Sequence, residues 1–172
     1  STLLPNDECA DAIALATCSG TPQSVTGTTT GANFDAGYTA CSPSMGDNTT
    51  EQGVWYTYVG DGNAVTMTTC DASGDGYDTR LSVYTGSCGA LTCVTANDDM
   101  SPGCGTGSFR SEVTFNANVG IIYTIFVHGY QSGVNPSAQG DFILNYSCAS
   151  LCLPLPSNEE CNAAIVLTQG AA

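Results

Sequence analysis

The 172-residue chain carries 16 Asp and Glu against two Arg and no Lys, a formal net charge of −14. That balance excludes a nucleic-acid-binding surface, which needs basic side chains to displace counterions from phosphate, and docking on an anionic membrane; divalent cations are the natural partners of such a field. The length suits one domain with a real core plus a short extra piece, and a 42% hydrophobic content excludes disorder.

The opening, residues 7–15 after Pro5, reads as one or two capped helical turns. A weak strand follows around residues 24–30, within a Thr-rich stretch. Gly53-Val54-Trp55-Tyr56-Thr57-Tyr58-Val59 is aromatic and β-branched and stops at Gly60-Asp61-Gly62. Residues 64–69 alternate, so the Asp61-Gly62 signal predicts a hairpin between these two strands. Further strands are expected at 80–84, 91–95, 112–116, 122–128 and 141–146, with Gly, Pro, Asn and Asp filling most gaps. Strands this short and turns this regular indicate an all-β fold, a jelly-roll-like β-sandwich stabilised by disulfides. Trp55 is expected in its core. No run reaches the ~20 apolar residues of a membrane-spanning helix, so no membrane insertion is expected. No signal peptide is visible, and Ser1 is expected to follow a cleavage site or to lie within a longer chain.

An internal repeat sets the domain organisation. Asn6-Asp7-Glu8-Cys9-Ala10-Asp11-Ala12-Ile13-Ala14-Leu15 returns as Asn158-Glu159-Glu160-Cys161-Asn162-Ala163-Ala164-Ile165-Val166-Leu167, with Asn, Glu, Cys, Ala, Ile and Leu kept in place. Residues 1–148 form one unit, 149–156 with Pro154 and Pro156 a linker, and 157–172 the opening of a second unit or a tail that docks in a neighbouring chain.

Ten cysteines, Cys9, Cys18, Cys41, Cys70, Cys88, Cys93, Cys104, Cys148, Cys152 and Cys161, read as a disulfide framework made in an oxidising compartment. Cys88-x4-Cys93 and Cys148-x3-Cys152 have zinc-ligand spacing, but a single His and no recognised zinc pattern argue against it. Counting does not fix the pairing. Close spacing favours Cys88–Cys93 and Cys9–Cys18; Cys70 with Cys104 would brace the acidic loops between them; Cys152–Cys161 would staple the linker, leaving Cys41–Cys148.

Two acidic segments carry the metal chemistry. Asp71-Ala72-Ser73-Gly74-Asp75-Gly76-Tyr77-Asp78 runs into the strand at Arg80, and Asn97-Asp98-Asp99 follows the next strand. Calcium takes six to eight oxygens from carboxylates, amides and carbonyls. If the two strands are neighbours, Asp78, Asp98 and Asp99 converge, with Asp75 beside them. The first segment is not an EF-hand, because its twelfth position is Ser82. Solvated turn residues are the plainer alternative. For catalysis the chain offers one His, His128, on a strand and without a nucleophile motif nearby; no enzyme is expected. Asn48 and Asn145 head glycosylation sequons. Tyr38, Tyr77 and Tyr130 lie near loops and are candidates for surface contact.

The opening motif, the Gly53–Tyr58 run, Tyr77-Asp78-Thr79-Arg80-Leu81-Ser82-Val83-Tyr84-Thr85-Gly86-Ser87-Cys88-Gly89-Ala90-Leu91 with Cys93 and Asn97-Asp98-Asp99, Phe126-Val127-His128-Gly129 and Gly140-Asp141-Phe142 resemble the bacterial pre-peptidase C-terminal domain group over almost all of residues 5–148. CUB domains share part of this pattern but fit the opening and the repeat less well. The resemblance implies a non-catalytic, calcium-binding module of secreted or cell-surface proteins, often in series, and supports Asp78, Asp98 and Asp99 as the calcium ligands. On these grounds the chain is expected to be a structural bead of an extracellular adhesin, sheath or filament whose partners are neighbouring copies, or glycan or matrix protein. The rival expectation is an accessory domain that carries a secreted enzyme to carbohydrate or protein.

Overall fold

Apolar and polar side chains alternate through Val113-Thr114-Phe115-Asn116-Ala117, and that strand buries one face and wets the other. Thr79 to Tyr84, by contrast, is buried on both faces. The difference is the plan of the molecule: two sheets share a core, and one of them is also covered from outside. The computed structural model describes residues 4–18, 20–35, 41, 52–70, 77–100, 104, 109–131 and 137–150. Its strands are β1 (Ile13–Ala14), β2 (Gln23–Thr28), β3 (Gly53–Val59), β4 (Asn63–Thr68), β5 (Thr79–Ser87), β6 (Ala90–Asn97), β7 (Glu112–Ala117), β8 (Ile122–Gly129) and β9 (Asp141–Ser150). β9 thus runs two residues into the segment read as linker.

One sheet has the order β1-β3-β8-β5-β6 and the other β2-β9-β4-β7. Apart from β1, the pairing is nested: β2 with β9, β3 with β8, β4 with β7, β5 with β6, all antiparallel. A long hairpin rolled into two sheets in this way is a jelly roll. Between the sheets lie Val54, Tyr56, Tyr58, Val65, Met67, Leu81, Val83, Phe115, Ile125, Val127, Phe142 and Leu144. Each fully buried side chain of this size contributes roughly 1.5–3 kcal/mol.

Two expectations about the path of the chain need correction. The Asp61-Gly62 turn closes no hairpin, because β3 and β4 belong to different sheets. Its backbone groups bond instead to the corner between β7 and β8: Gly60 N to Ile121 O (2.8 Å), Gly62 N to Ala117 O (2.7 Å) and Gly120 N to Gly60 O (2.9 Å). Gly62 has φ +89°, which only glycine adopts without strain. The tight hairpin is β5–β6, where Ser87 pairs with Ala90 across Cys88-Gly89. The opening segment is less helical than its pattern. A 3₁₀ turn spans Cys9–Asp11, and Ile13 and Ala14 then pair parallel with Tyr56 and Thr57 of β3, because edge pairing offers this apolar stretch more than a second helical turn would.

Four disulfides join Cys9–Cys88, Cys18–Cys148, Cys41–Cys93 and Cys70–Cys104. The Cys70–Cys104 pairing is as expected. Cys88–Cys93, Cys9–Cys18 and Cys41–Cys148 are not formed. Cys88 sits in the hairpin turn while Cys93 pairs with Tyr84 well down the strand, and β1 carries Cys18 away from Cys9 to the β9 side of the sandwich. Cys152 and Cys161 lie outside the described residues, as does the repeated motif at 158–167.

Trp55 is buried as expected, but not between the sheets. It lies on the outer face of the five-stranded sheet in a second apolar cluster with Tyr84 and Phe126, covered by Cys9, Ala12, Cys41 and Leu91. Trp55 stacks on Phe126 at 4.1 Å, and Phe126 on His128 at 4.5 Å. The backbones of Asn6 and Trp55 are joined by Trp55 N to Asn6 O (2.9 Å), and Asn6 Nδ2 donates to Trp55 O (2.9 Å). Two of the disulfides, Cys9–Cys88 and Cys41–Cys93, pin this cover to the β5–β6 hairpin. The double replacement Cys9→Ser with Cys88→Ser is therefore expected to cost about 3–4 kcal/mol and to raise acrylamide quenching of Trp55 fluorescence before global unfolding. Unchanged quenching would show that the cover holds without its staple.

Candidate metal centre

The antiparallel pairing of β5 and β6 puts the start of one beside the end of the other, with Leu81 opposite Asn97. Asp78, just before β5, therefore meets Asp98 and Asp99, just after β6. Each offers one carboxylate oxygen, and the three atoms lie within 4.8 Å of one another. Among the described residues no other group of three or more His, Cys, Asp or Glu side chains is so arranged. Asp75, the fourth candidate, lies outside the described residues.

The frame around the trio is rigid. Asp78 O accepts from Tyr130 N (2.9 Å), and Met100 N donates to Arg110 O (2.7 Å). Asn97 Oδ1 accepts from Glu112 N (3.0 Å), so this amide ties β6 to β7. Ser111 Oγ reaches Thr79 O at 2.6 Å and also contacts Asp98 O. Thr69 and Thr79 share a hydroxyl–hydroxyl bond of 2.6 Å, and Arg110 Nη1 donates to Thr69 O (2.7 Å). Cys70, the next residue, carries the disulfide to Cys104.

Arg80 partly neutralises the cluster. Its Nη2 lies 3.0 Å from Asp98 Oδ2, and its guanidinium packs 4.7 Å from the centre of the Tyr130 ring. The other oxygen of Asp98 and Oδ1 of Asp78 are buried without a hydrogen-bond partner. Buried polar atoms are nearly always satisfied, so two orphaned carboxylate oxygens in one acidic cluster call for a ligand. Burial, then Asp98 and Asp99, push the Asp78 carboxyl up to about 6, while Arg80 pulls it down. A hard divalent cation suits this donor set: Asp78, Asp98 and Asp99 would hold it, with water and carbonyl oxygens completing the coordination shell. It would supply the positive charge that one arginine does not.

The remaining candidates separate from this site. His128 is buried on the outer face of the five-stranded sheet, with Nε2 3.0 Å from Ser82 Oγ, itself buried. Sequence reasoning found no nucleophile near His128. Ser82 escaped notice because it lies on the neighbouring strand, where Arg80 pairs with His128 and Ser82 with Phe126. Asn145 is on β9, half-buried, with Nδ2 donating to Cys70 O (3.3 Å). Asn48 and Tyr38 lie outside the described residues. Tyr130 is exposed, but Tyr77 is not a surface contact: it packs on the core, its ring against Gly140.

No protein-family model matches the chain, and comparison with curated proteins finds no match.

Because the folded state raises the Asp78 carboxyl above its ordinary value of 3.8, it holds that proton more tightly than the unfolded chain does. Calcium-free protein should therefore lose stability as pH rises from about 4 to about 6. Asp35, raised to about 7, extends the loss upward. A calcium ion held by the ionised cluster is expected to raise Tm above pH 6 by about 5–10 °C at a hundredfold excess over Kd, and little at pH 4. A melting series with and without EGTA across this range checks it. Asp78→Asn gives the opposite sign in the two arms: it relieves the repulsion and raises the calcium-free Tm at pH 7.5, yet abolishes the calcium response. Solvated turn acids would show neither effect.

Proposed function

We propose that the chain is a non-catalytic structural module of an extracellular tandem-repeat adhesin, sheath or filament, stabilised by calcium at Asp78, Asp98 and Asp99. The observation that carries this reading is what residues 6–15 do. They are the segment that recurs at 158–167, and they complete the edge of the five-stranded sheet: Asn6 bonds to Trp55, Cys9 is linked to Cys88, and Ile13-Ala14 pairs with β3. An edge-completing segment that returns after the last strand suits units strung in series. The second copy either opens the next unit of the same chain or fills the equivalent edge of a neighbouring one.

Several observations support the rest. Four disulfides suit an oxidising, extracellular setting, and among the described residues no helix is long and apolar enough to cross a membrane. The Ser82–His128 pair is buried, which suits a structural role better than catalysis. Calcium and disulfides take the place of a surface ion-pair network that two arginines cannot build. The resemblance to pre-peptidase C-terminal domains points the same way.

The accessory-domain reading has one feature in its favour, a groove of about 530 Å³ between the edges β1 and β2, lined by Leu4, Pro5, Ile13, Val25 and Ile143 among others. Its two aromatic rings, Tyr56 and Phe142, are buried, so it lacks the exposed ring face on which a sugar would stack. In calcium, chains that keep residues 151–172 are expected to sediment as multimers, or the intact gene product to exceed 17.5 kDa by whole repeat units; chains cut at 150 should be monomers. A monomeric full-length product of 17.5 kDa with saturable glycan binding would sink the bead and favour the accessory domain.

A further inference from the structure

A second acidic feature lies at the other end of the β5–β6 hairpin, about 30 Å along β5 from the metal centre. Here Glu8, Cys9, Ala10, Asp35, Trp55, Cys88 and Leu91 line a cavity of about 190 Å³. That is about six water volumes and below the roughly 300–1,000 Å³ of drug-sized sites. Asp35 is 7% exposed. Its Oδ1 accepts a hydrogen bond from Trp55 Nε1 at 2.8 Å. Its Oδ2 is buried and has no partner. Glu8 stands exposed at the rim; it precedes the 3₁₀ turn, yet its side chain makes no capping bond there.

We infer that this cavity binds a primary ammonium group on a short aliphatic stem, with Asp35 and Glu8 as its carboxylate partners. An ammonium has three donors and no acceptor, which matches a site whose free polar atoms are carboxylate oxygens. Leu91, Ala10 and the Trp55 indole offer apolar surface to the stem. A divalent cation fits less well. It wants six or more oxygens, and among the described residues Asp35 and Glu8 belong to no acidic trio with ligand atoms within 4.8 Å. No side chain of this sequence supplies it: there is no lysine, and both arginines are buried, Arg80 beside Asp98 and Arg110 against Thr69. The ammonium is therefore a free amine or a lysine from outside this sequence. The groups facing Asp35 are the Trp55 donor and the Glu8 and Asp7 carboxylates. Burial, then Glu8 and Asp7, push its carboxyl up to about 7 against the Trp55 hydrogen bond, so binding weakens as pH falls through 7.

Trp55 is the only tryptophan, so its indole N–H resonance reports on this cavity alone. The calcium-loaded full chain at pH 7.5 is titrated with n-butylammonium chloride, with n-butanol as the neutral isostere, and with acetyl-Gly-Lys-Gly-amide. Butylammonium should move the resonance saturably, with butanol at least about tenfold weaker, as expected when a charge-assisted bond is lost. Asp35→Asn, which keeps an acceptor for Trp55 Nε1, and Glu8→Gln, on the exposed rim, should each weaken binding by a similar factor. A response to the lysine peptide would assign the site to a protein side chain; a response to the free amine alone would assign it to a small molecule. No shift, an equal shift with butanol, or unchanged affinity in Glu8→Gln would overturn the proposal. None of these outcomes bears on the metal centre or on assembly.

Discussion

Sixteen carboxylates share two arginines in this protein, and both arginines are buried. Where most domains would set an acid against a lysine, this chain uses neutral donors. Asp7 accepts from the backbone and side-chain amides of Asn33 at 2.9 and 2.6 Å. Asp61 accepts from Asn63 N and Tyr58 OH, and Asp35 from the Trp55 indole. These bonds fix the opening segment, the corner between the sheets and the outer cover. Each satisfies an oxygen without neutralising a charge. The oxygens left over mark where an external cation would be most stabilising, and they are found at Asp78, Asp98 and Asp35.

The second consequence concerns the outer face of the five-stranded sheet. Trp55, Tyr84 and Phe126 there are as dry as the residues between the sheets, yet part of what covers them is a segment with one 3₁₀ turn and a two-residue strand. Such a cover gains little from its own backbone pairing, and the conformational entropy of ordering it is large. Cross-links at Cys9–Cys88 and Cys41–Cys93 reduce that cost by restricting the unfolded chain. The same segment is also the one whose sequence recurs at residues 158–167.

Much of this was legible in the sequence. Every strand from β2 to β9 lies where aromatic, β-branched or alternating residues and turn signals put it, and Gly53–Val59 matches to the residue. The convergence of Asp78 with Asp98 and Asp99 followed from one assumption, that their strands are neighbours. What sequence missed was long-range. Asp-Gly after β3 has hairpin chemistry, but local turn preference does not say which sheet the next strand joins. Apart from Cys70–Cys104, disulfide partners among the described residues were misjudged because spacing along the chain ignores register: Cys93 is five residues from Cys88 but faces Cys41. Trp55 was placed in a core without a way to see that the sandwich has a second one. Asp35 carried no signal at all, being a lone acid whose importance comes from a cover folded over it.

The acidic cluster shows why rigidity matters more than the count of acids. Carboxylates on mobile turns relieve repulsion by moving apart, and they then hold a cation no better than bulk acids do. Here Asp78 is held by Tyr130 N, Asp98 by Ser111 and Arg80, and the turn beyond by Met100 N bonding to Arg110 O, while Asn97 locks β6 to β7. The fold therefore supplies the free energy of bringing the charges together before any ion arrives, and little ordering remains to be done on binding. The same preorganisation leaves the repulsion within the cluster unrelieved until a cation neutralises it. A unit of this kind would be weakest where calcium is scarce and tightest outside the cell, where calcium sites of modest affinity are already filled.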